Sequence, residues 1–536
     1  MLREEVIAAP VVPHARSLAA RSAIGLAAVL GAALLVQTGL LAIGFYRISY
    51  DEAARTLIAL RFDWGTAFAP EIWPPFPKIL LGLALRVWHD PFLVPRLLSS
   101  LAGLLVVWAV FALAERLAGD RRVALLAAAL AVVQPQRLIF AVAPMSDIYY
   151  LLFVLAAAIC VLDWLRGREA ALPAAALCLA LAETVRFEAI LFGGALGLLV
   201  LHRWLVARRL RFPMVALVAA VLLAFPARWL WATWLRDGSL DALGLTSRQY
   251  VANYGASRLR ALWLSPFGRN LALDLLWCPV LALGLWPAWH AWRRGGAERE
   301  WLVALFLPYL LFGAVVTLTL SVPMAAPWRT TGAWVLLALP FTAMALVRIG
   351  DRIAAWPGLP PWGRRSAIAA LLAAALLPPV IRSGIYVRTG MTEEATRRPR
   401  RDRAAGLAVR AALARLGGGR ALIESASNLD FLEVLALSGA PQDFVLNAGR
   451  DPIEVGIEVP MERLRRRRGD IAAIEAELTD RYALAEGGAP ARFASEDIRL
   501  VLARRPESIA ALDASPAVMR QAQYGAWVLY RVRRPG

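Results

Sequence analysis

From residue 23 to residue 383 the chain alternates long apolar runs with short polar breaks. Runs near 23–45, 93–114, 123–140, 148–165, 171–185, 189–206, 213–235, 271–292, 300–320, 331–348 and 366–383 predict about eleven membrane-crossing helices, because ~20 apolar residues span a hydrocarbon core. After residue 383 the pattern shifts. Residues 421–424, 444–446, 500–503 and 527–532 read as short strands, and 429–437 and 471–478 as helices between them. The expected fold is therefore an all-α polytopic membrane bundle with a small C-terminal extracytoplasmic α/β domain. Its parts are an N-terminal tail (1–22), a transmembrane domain (23–383) with an outer loop (46–92), and the α/β domain (384–536). The first run is not followed by a small-residue cleavage site, so it reads as a retained helix.

Composition agrees and removes one alternative. The chain of 536 residues is 59% hydrophobic with a mean hydropathy of +0.56, above what soluble domains reach. A net charge of +19 invites a nucleic-acid partner, but the distribution excludes one. Arg16 and Arg21, Arg116 with Arg121 and Arg122, Arg166 and Arg168, Arg203 to Arg211, Arg293 and Arg294, and Arg364 and Arg365 all sit in alternate breaks. That is the pattern of loops retained in the cytoplasm. It places the N-terminus in the cytoplasm, and loop 46–92 and the C-terminal domain outside. Arginine outnumbers lysine so heavily that Lys78 stands alone, a bias that a GC-rich bacterial genome explains and that carries little function.

Cys160, Cys178 and Cys278 lie in apolar runs, and His14, His89, His202 and His290 are scattered. No disulfide framework or zinc spacing follows, and neither a metal nor another cofactor is expected. The run 465–468 is four arginines; it suits either a solvated helix face or contact with anionic lipid.

Chemistry-bearing residues gather at the outer ends of the runs. Asp51 and Glu52 form a carboxylate pair just past the first run. Local pattern reads Asp51 equally as a helix cap. The loop around it carries Trp64, Phe68, Trp73, Phe76 and Trp88, aromatic residues that suit the headgroup level. Asp147, in Pro144-Met145-Ser146-Asp147, is a second outer acid, again either a cap or a site residue. Glu183-Thr184-Val185-Arg186-Phe187-Glu188 interrupts an apolar stretch. Ionisable groups at that depth face a partner or a cavity, so Arg186 either pairs with a carboxylate to fix the hairpin or meets a lipid phosphate. Arg329 opens a run after Pro327-Trp328; it either snorkels or clamps a phosphate, to which its forked donors are matched. Arg248, Arg258, Arg260 and Arg269 fill another outer loop, against the positive-inside trend.

Four stretches in this order resemble the glycosyltransferase-C superfamily, in its branch of protein O-mannosyltransferases, lipid A aminoarabinose transferases and rhizobial galacturonosyltransferases of lipopolysaccharide. They are Ser49-Tyr50-Asp51-Glu52; Trp73-Pro74-Pro75-Phe76 with Pro95-Arg96-Leu97-Leu98-Ser99 and Glu115-Arg116-Leu117; Gln134-Pro135 through Ser146-Asp147; and Arg186-Phe187-Glu188 with Arg329. The similarity covers roughly residues 20–350. It implies a sugar donor on a polyprenyl phosphate, a glycan, lipid or protein acceptor, reaction at the periplasmic face among membrane lipids, and inversion at the anomeric carbon. It implies that Asp51, with Glu52 beside it, is the general base that deprotonates the acceptor or helps orient it, and that Asp147 helps organise the site. Arg329, Arg186, Lys78, Arg258 and Arg260 become candidates for the donor phosphate. Many relatives carry histidine or glutamate just before the Pro-Pro step, where this chain has Trp73; Glu71 lies nearby. Two other functions fit a chain of this kind: a glycolipid transporter or flippase, and a non-catalytic scaffold. Transporters show repeated halves and helices broken at the midplane, and the sequence shows no such symmetry.

Overall fold

The computed structural model describes residues 13–46, 51–68, 73–237, 266–319, 328–390, 393–424, 431–446, 493 and 497–533. Arg258, Arg260, Glu71, the 465–468 run and the 471–478 helix lie outside these residues. The membrane part comprises α1 (Pro13–Ile43), α2 (Asp51–Leu60), α3 (Pro75–Val87), α4 (Leu93–Ala118), α5 (Arg121–Val133), α6 (Pro135–Val142), α7 (Asp147–Leu165), α8 (Ala171–Glu183), α9 (Ala189–Leu205), α10 (Phe212–Asp237), α11 (Pro266–Trp277), α12 (Leu285–Arg294), α13 (Gly296–Thr319), α14 (Trp328–Ala354) and α15 (Pro361–Gly390).

Every predicted crossing falls on helix, but not every one is a full straight crossing. Among the described residues, six helices are long and apolar enough to span, and eight if each of two bent pairs counts once. The pairs are α5 with α6, bent by 60°, and α11 with the segment ending in α12, bent by 103°. Proline explains both bends. Pro135 and Pro279 follow Gln134 and Cys278 and begin new helical segments; proline donates no N–H and disfavours helix in the residue before it. Two other predicted crossings are short apolar helices, α8 with 13 residues and α9 with 17, and the last is the 24-residue α13.

A break inside a membrane helix exposes carbonyls that no water can satisfy. Here side chains do it. Arg137, fully buried, donates from Nη1 to the Val132 carbonyl at 3.1 Å and from Nε and Nη2 to the Gly103 carbonyl at 3.2 Å. Ser383 Oγ, from α15, donates to the Val133 carbonyl at 3.1 Å. The backbones lie close because Gly103 has no side chain: a Cβ there would come within 2.4 Å of the Ala141 methyl. Such small-residue contacts are how helices pack where lipid supplies no hydrophobic drive. A central layer of α4, α5, α7 and α14 shares one core, which includes Val106, Leu113, Ala127, Val154, Leu162 and Leu336.

The C-terminal domain comprises α16 (Glu393–Arg415), β1 (Arg420–Ile423), α17 (Phe431–Ser438), β2 (Phe444–Leu446), β3 (Ile498–Ala503), α18 (Pro506–Ala514), β4 (Val518–Tyr524) and β5 (Trp527–Val532). The sheet order is β2-β1-β3-β5-β4. The first three strands are parallel, while β5 is antiparallel to β3 and forms a hairpin with β4. The four expected strands are present; β4, rich in polar residues, was not expected. Both faces are covered. Ala421, Ile423, Trp527 and Leu529 face one apolar cluster, and Leu422, Val528 and Tyr530 the other, the two-residue alternation of a strand.

The first of these clusters reaches beyond its own domain. It includes Ala54 and the fully buried Leu57 of α2, with Trp73 packed against it, and α17 packs on α2. Arg403 pairs with Asp90 at 3.0 Å, Gly439 O lies 2.8 Å from His89 Nε2, and Arg400 Nε donates to the Tyr46 hydroxyl at 2.9 Å. The loop that carries Asp51 is therefore packed into the C-terminal domain. Two expected headgroup aromatics also turn inward. Trp73 joins that cluster, and Phe76 meets Phe153 at 5.1 Å; Trp64, Phe68 and Trp88 are exposed.

The substitution Arg137→Met removes the donors of the Gly103 and Val132 carbonyls while keeping an apolar stem. It is expected to destabilise the protein by about 1–3 kcal/mol, read as a lowered thermal unfolding midpoint in detergent. Ser383→Ala, which frees one carbonyl, is expected to lower the midpoint less. Equal midpoints for wild type and Arg137→Met would refute this account of the break.

Candidate active site

Four helix ends converge on one carboxylate. Asp147 is the first residue of α7, where negative charge suits the helix dipole. Its side chain does not cap that helix. It is 1% exposed and accepts three hydrogen bonds: from Arg329 Nη2 at 2.7 Å, Arg329 Nε at 3.0 Å and Arg186 Nη1 at 2.6 Å. Arg186 lies in the short connection between α8 and α9. Arg329 is the second residue of α14, where a cation opposes the dipole; Asp147 offsets that. Arg329 Nη1 also reaches Asp51 Oδ2 at 3.3 Å.

Asp51 begins α2 and faces the same group from the other side. Its side chain is 34% exposed, whereas Asp147 is closed off. Arg55, one turn further along α2, lies 3.7 Å from Asp51 Oδ2. Arg186 additionally grips Glu188 through Nε at 3.2 Å and through Nη2. Three arginines and three carboxylates, Asp51, Asp147 and Glu188, thus form one connected network.

The three guanidiniums differ. Burial pulls Arg186 down, but Glu188 and Asp147 outweigh it, and its pKa ends raised. Arg329 also ends raised, burial being outweighed chiefly by Asp147. Arg55 ends lowered: burial exceeds the help from Asp51, and Arg329 opposes it. Arg55 contacts the soft sulfur of Met145 at 3.7 Å and lies over the Trp73 ring at 5.4 Å, while its Nε has no acceptor among the described residues. It is the least compensated cation of the group, and so the one with most to gain from an incoming anion.

The structure thus brings together Asp51, Asp147, Arg186 and Arg329. Glu52 is buried, in the field of Arg55 and Arg96. The Lys78 ammonium donates to the Thr66 carbonyl at 2.8 Å and ties α3 to the loop before it. Arg55 was not anticipated; its only sequence signal is the four-residue spacing from Asp51, which any exposed helical ion pair shares. At the position before Pro-Pro, Trp73 serves as a stacking surface for Arg55. Among the described residues, no three His, Cys, Asp or Glu side chains converge as a metal would require.

A second polar group lies within the bundle. Asp274 of α11 is bonded to Arg382 of α15 and accepts from Gln136 Nε2 at 3.0 Å. Gln136 also donates to Thr331 Oγ1 of α14 at 3.3 Å. Thr331 is two residues from Arg329, so this group anchors the helix end that presents Arg329. Asp274 and Arg382 stand inside apolar runs, which is the signal that would have singled them out.

Residues 73–231 match the family model described as dolichyl-phosphate-mannose-protein mannosyltransferase. The resemblance to the glycosyltransferase-C superfamily holds. The matched segment runs from Trp73 through Asp147 and Arg186, so two of the four converging residues lie within it. A crystal structure of the Archaeoglobus fulgidus oligosaccharyltransferase, tethered through a disulfide bond to an acceptor peptide containing the NVT sequon, superposes with a TM-score of 0.49. Its sequence is 12% identical, and the match covers 89% of this chain and 69% of that one. No curated protein sequence matches the chain. The chain is a multi-pass membrane protein whose residues 73–231 are similar to that mannosyltransferase family.

Removing one partner from a buried ion pair costs about 3–5 kcal/mol, because the other charge is stranded. Asp147→Asn is expected to destabilise the protein by that amount in thermal or denaturant unfolding. Adding Arg329→Met should recover part of the loss in a double-mutant cycle. Strict additivity of the two changes would show that the pair is not coupled.

Proposed function

We propose that this protein transfers a sugar from a polyprenyl-phosphate donor to an acceptor hydroxyl at the periplasmic face of a bacterial inner membrane, with inversion. The observation that carries the reading is an accessible carboxylate, Asp51, beside Arg55 and Arg329, with Arg329 and Arg186 held by the buried Asp147. A guanidinium has five N–H donors. Arg329 uses three of these positions on Asp147 and Asp51, which leaves it capacity for phosphate oxygens.

In this mechanism Asp51 takes the acceptor proton as the acceptor oxygen bonds to the anomeric carbon. The bond from that carbon to the phosphate oxygen breaks on the opposite face, and polyprenyl phosphate leaves with the electron pair. Arg329, Arg186 and Arg55 stabilise the charge that develops on it, the preorganised electrostatic stabilisation that dominates many enzyme rates. Asp147 holds two of those guanidiniums in place before the donor arrives. Lys78, Arg258 and Arg260 are retained as further donor-phosphate candidates, and Glu52 as a neighbour of the base.

A place for the lipid chain also supports the reading. A cavity of about 730 Å³ lies between α11, α12, α13 and α14, lined by apolar side chains including Leu271, Leu275, Leu302, Phe306, Trp334 and Ala338. Trp334 is five residues along α14 from Arg329, about 7.5 Å at the helical rise. Five residues also turn the helix by about 140°, so a donor with its phosphate at Arg329 would reach this apolar surface around the side of α14.

Membranes carrying the full-length protein, supplied with a panel of radiolabelled polyprenyl-phosphate sugars, test the proposal. Wild type is expected to transfer label from one donor. Asp51→Asn is expected to lose roughly 10²–10⁴-fold in rate, the usual contribution of a positioned base, with donor binding retained. Transfer at the wild-type rate in Asp51→Asn would dismiss Asp51 as the base. No transfer from any donor by folded wild type would dismiss the activity.

A further inference from the structure

The far end of α14 carries a second cationic site, with no role in the chemistry above. Arg348 is 19 residues beyond Arg329 on α14, about 28 Å at 1.5 Å per residue, close to the ~30 Å of a hydrocarbon core. The two arginines therefore mark opposite faces of the membrane. Around Arg348 lies a cavity of about 220 Å³, half polar, to which Arg294, Asp120, Glu298 and Asp351 contribute. Phe341 and Met344 line its apolar side.

The acids of this cavity are already engaged. Arg122 binds Asp351 at 2.8 Å and Asp120 at 3.0 Å, and Arg166 binds Glu298 at 2.7 Å. Among the described residues Arg294 and Arg348 make no ion pair; Arg294 senses Glu298 only at longer range. Arg348 and Arg352 both stack on the Trp286 ring, at 5.2 and 5.5 Å. Two guanidiniums held against one ring repel each other, and the ring's negative face offsets only part of that. An anion between Arg348 and Arg294 would complete the balance. The setting selects a lipid rather than a soluble ion. Leu285, Trp289 and Trp292 of α12 are exposed on the helix face that lines the apolar cavity described above, while Pro287, Ala291 and Arg294 on its other face line this one; tryptophan at this level marks the headgroup layer.

We infer that this cavity binds the phosphodiester headgroup of an anionic phospholipid, with Arg294 and Arg348 on the phosphate and Trp286 holding Arg348 in place. The inference does not depend on the transfer activity proposed above.

Native mass spectrometry of the purified full-length protein in detergent, titrated with phosphatidylglycerol or phosphatidylcholine, tests it. Wild type should retain phosphatidylglycerol in preference to phosphatidylcholine. Arg294→Gln with Arg348→Gln should weaken phosphatidylglycerol binding about 30-fold, the effect of two basic residues near a charged surface. Arg348→Lys, which keeps the charge, should weaken it less, and it provides the comparison should the double variant fold poorly. Unchanged phosphatidylglycerol affinity in folded charge-removing variants, or equal retention of phosphatidylcholine by wild type, would overturn the proposal. Displacement of phosphatidylglycerol by millimolar inorganic phosphate alone would overturn it in favour of a soluble anion.

Discussion

The buried carboxylate of Asp147 is the constraint on which the site depends. A lone charge at that depth would be strongly disfavoured. With two guanidiniums bonded to it it becomes the joint that fixes α7, the α8–α9 connection and the start of α14 relative to each other. The same contacts aim cationic donors toward the half-exposed Asp51. One interaction therefore does structural and electrostatic work together. Arg186 and Arg329 lie close together because an acid sealed from solvent bonds both.

Asp51 is fixed from the other direction. α2 carries it, and α2 is amphipathic: Ala54 and Leu57 enter the core of the C-terminal domain while Asp51 and Arg55 turn to the bundle. The pairing of Asp90 with Arg403 and the contact of His89 with Gly439 hold the end of the same loop. The C-terminal domain is thus one wall of the site rather than an appendage. A shift of its α17 would move Asp51 relative to Arg329, which is anchored separately in the bundle.

How much of this the sequence discloses follows from where charge sits. Asp51, Asp147, Arg186 and Arg329 were legible because each stands at the edge of an apolar run, where an ionisable residue needs a reason. The crossings were legible as helices, but their bends were not, because a hydropathy average passes over a single Pro135 or Pro279. For the same reason Arg137, Asp274 and Arg382 were missed: each is one polar residue diluted by apolar neighbours. Arg55 was invisible for the opposite reason, since Asp-Glu-Ala-Ala-Arg resembles any solvated helix turn until Met145 and Trp73 enclose the arginine. The inward turn of Trp73 also needed the fold, because an interfacial tryptophan and a stacking partner for a buried arginine have the same local pattern.

The broken helices and the converging acids and bases are connected. Breaking α5 from α6 frees the Val132 and Val133 carbonyls, and Arg137 and Ser383 satisfy them. The break also turns Gln136 toward Asp274 and Thr331, and Thr331 lies two residues from the arginine that binds Asp147. A straight helix through residues 121–142 would satisfy its own backbone and would not bring Gln136 between Asp274 and Thr331. The irregular backbone therefore creates a polar floor beneath the site, and the chain α6–α11–α14 carries that rigidity to Arg329. In a bilayer, where apolar contact alone gives little preference between helix partners, such buried polar links are what select one arrangement of helices and hold the guanidiniums in it.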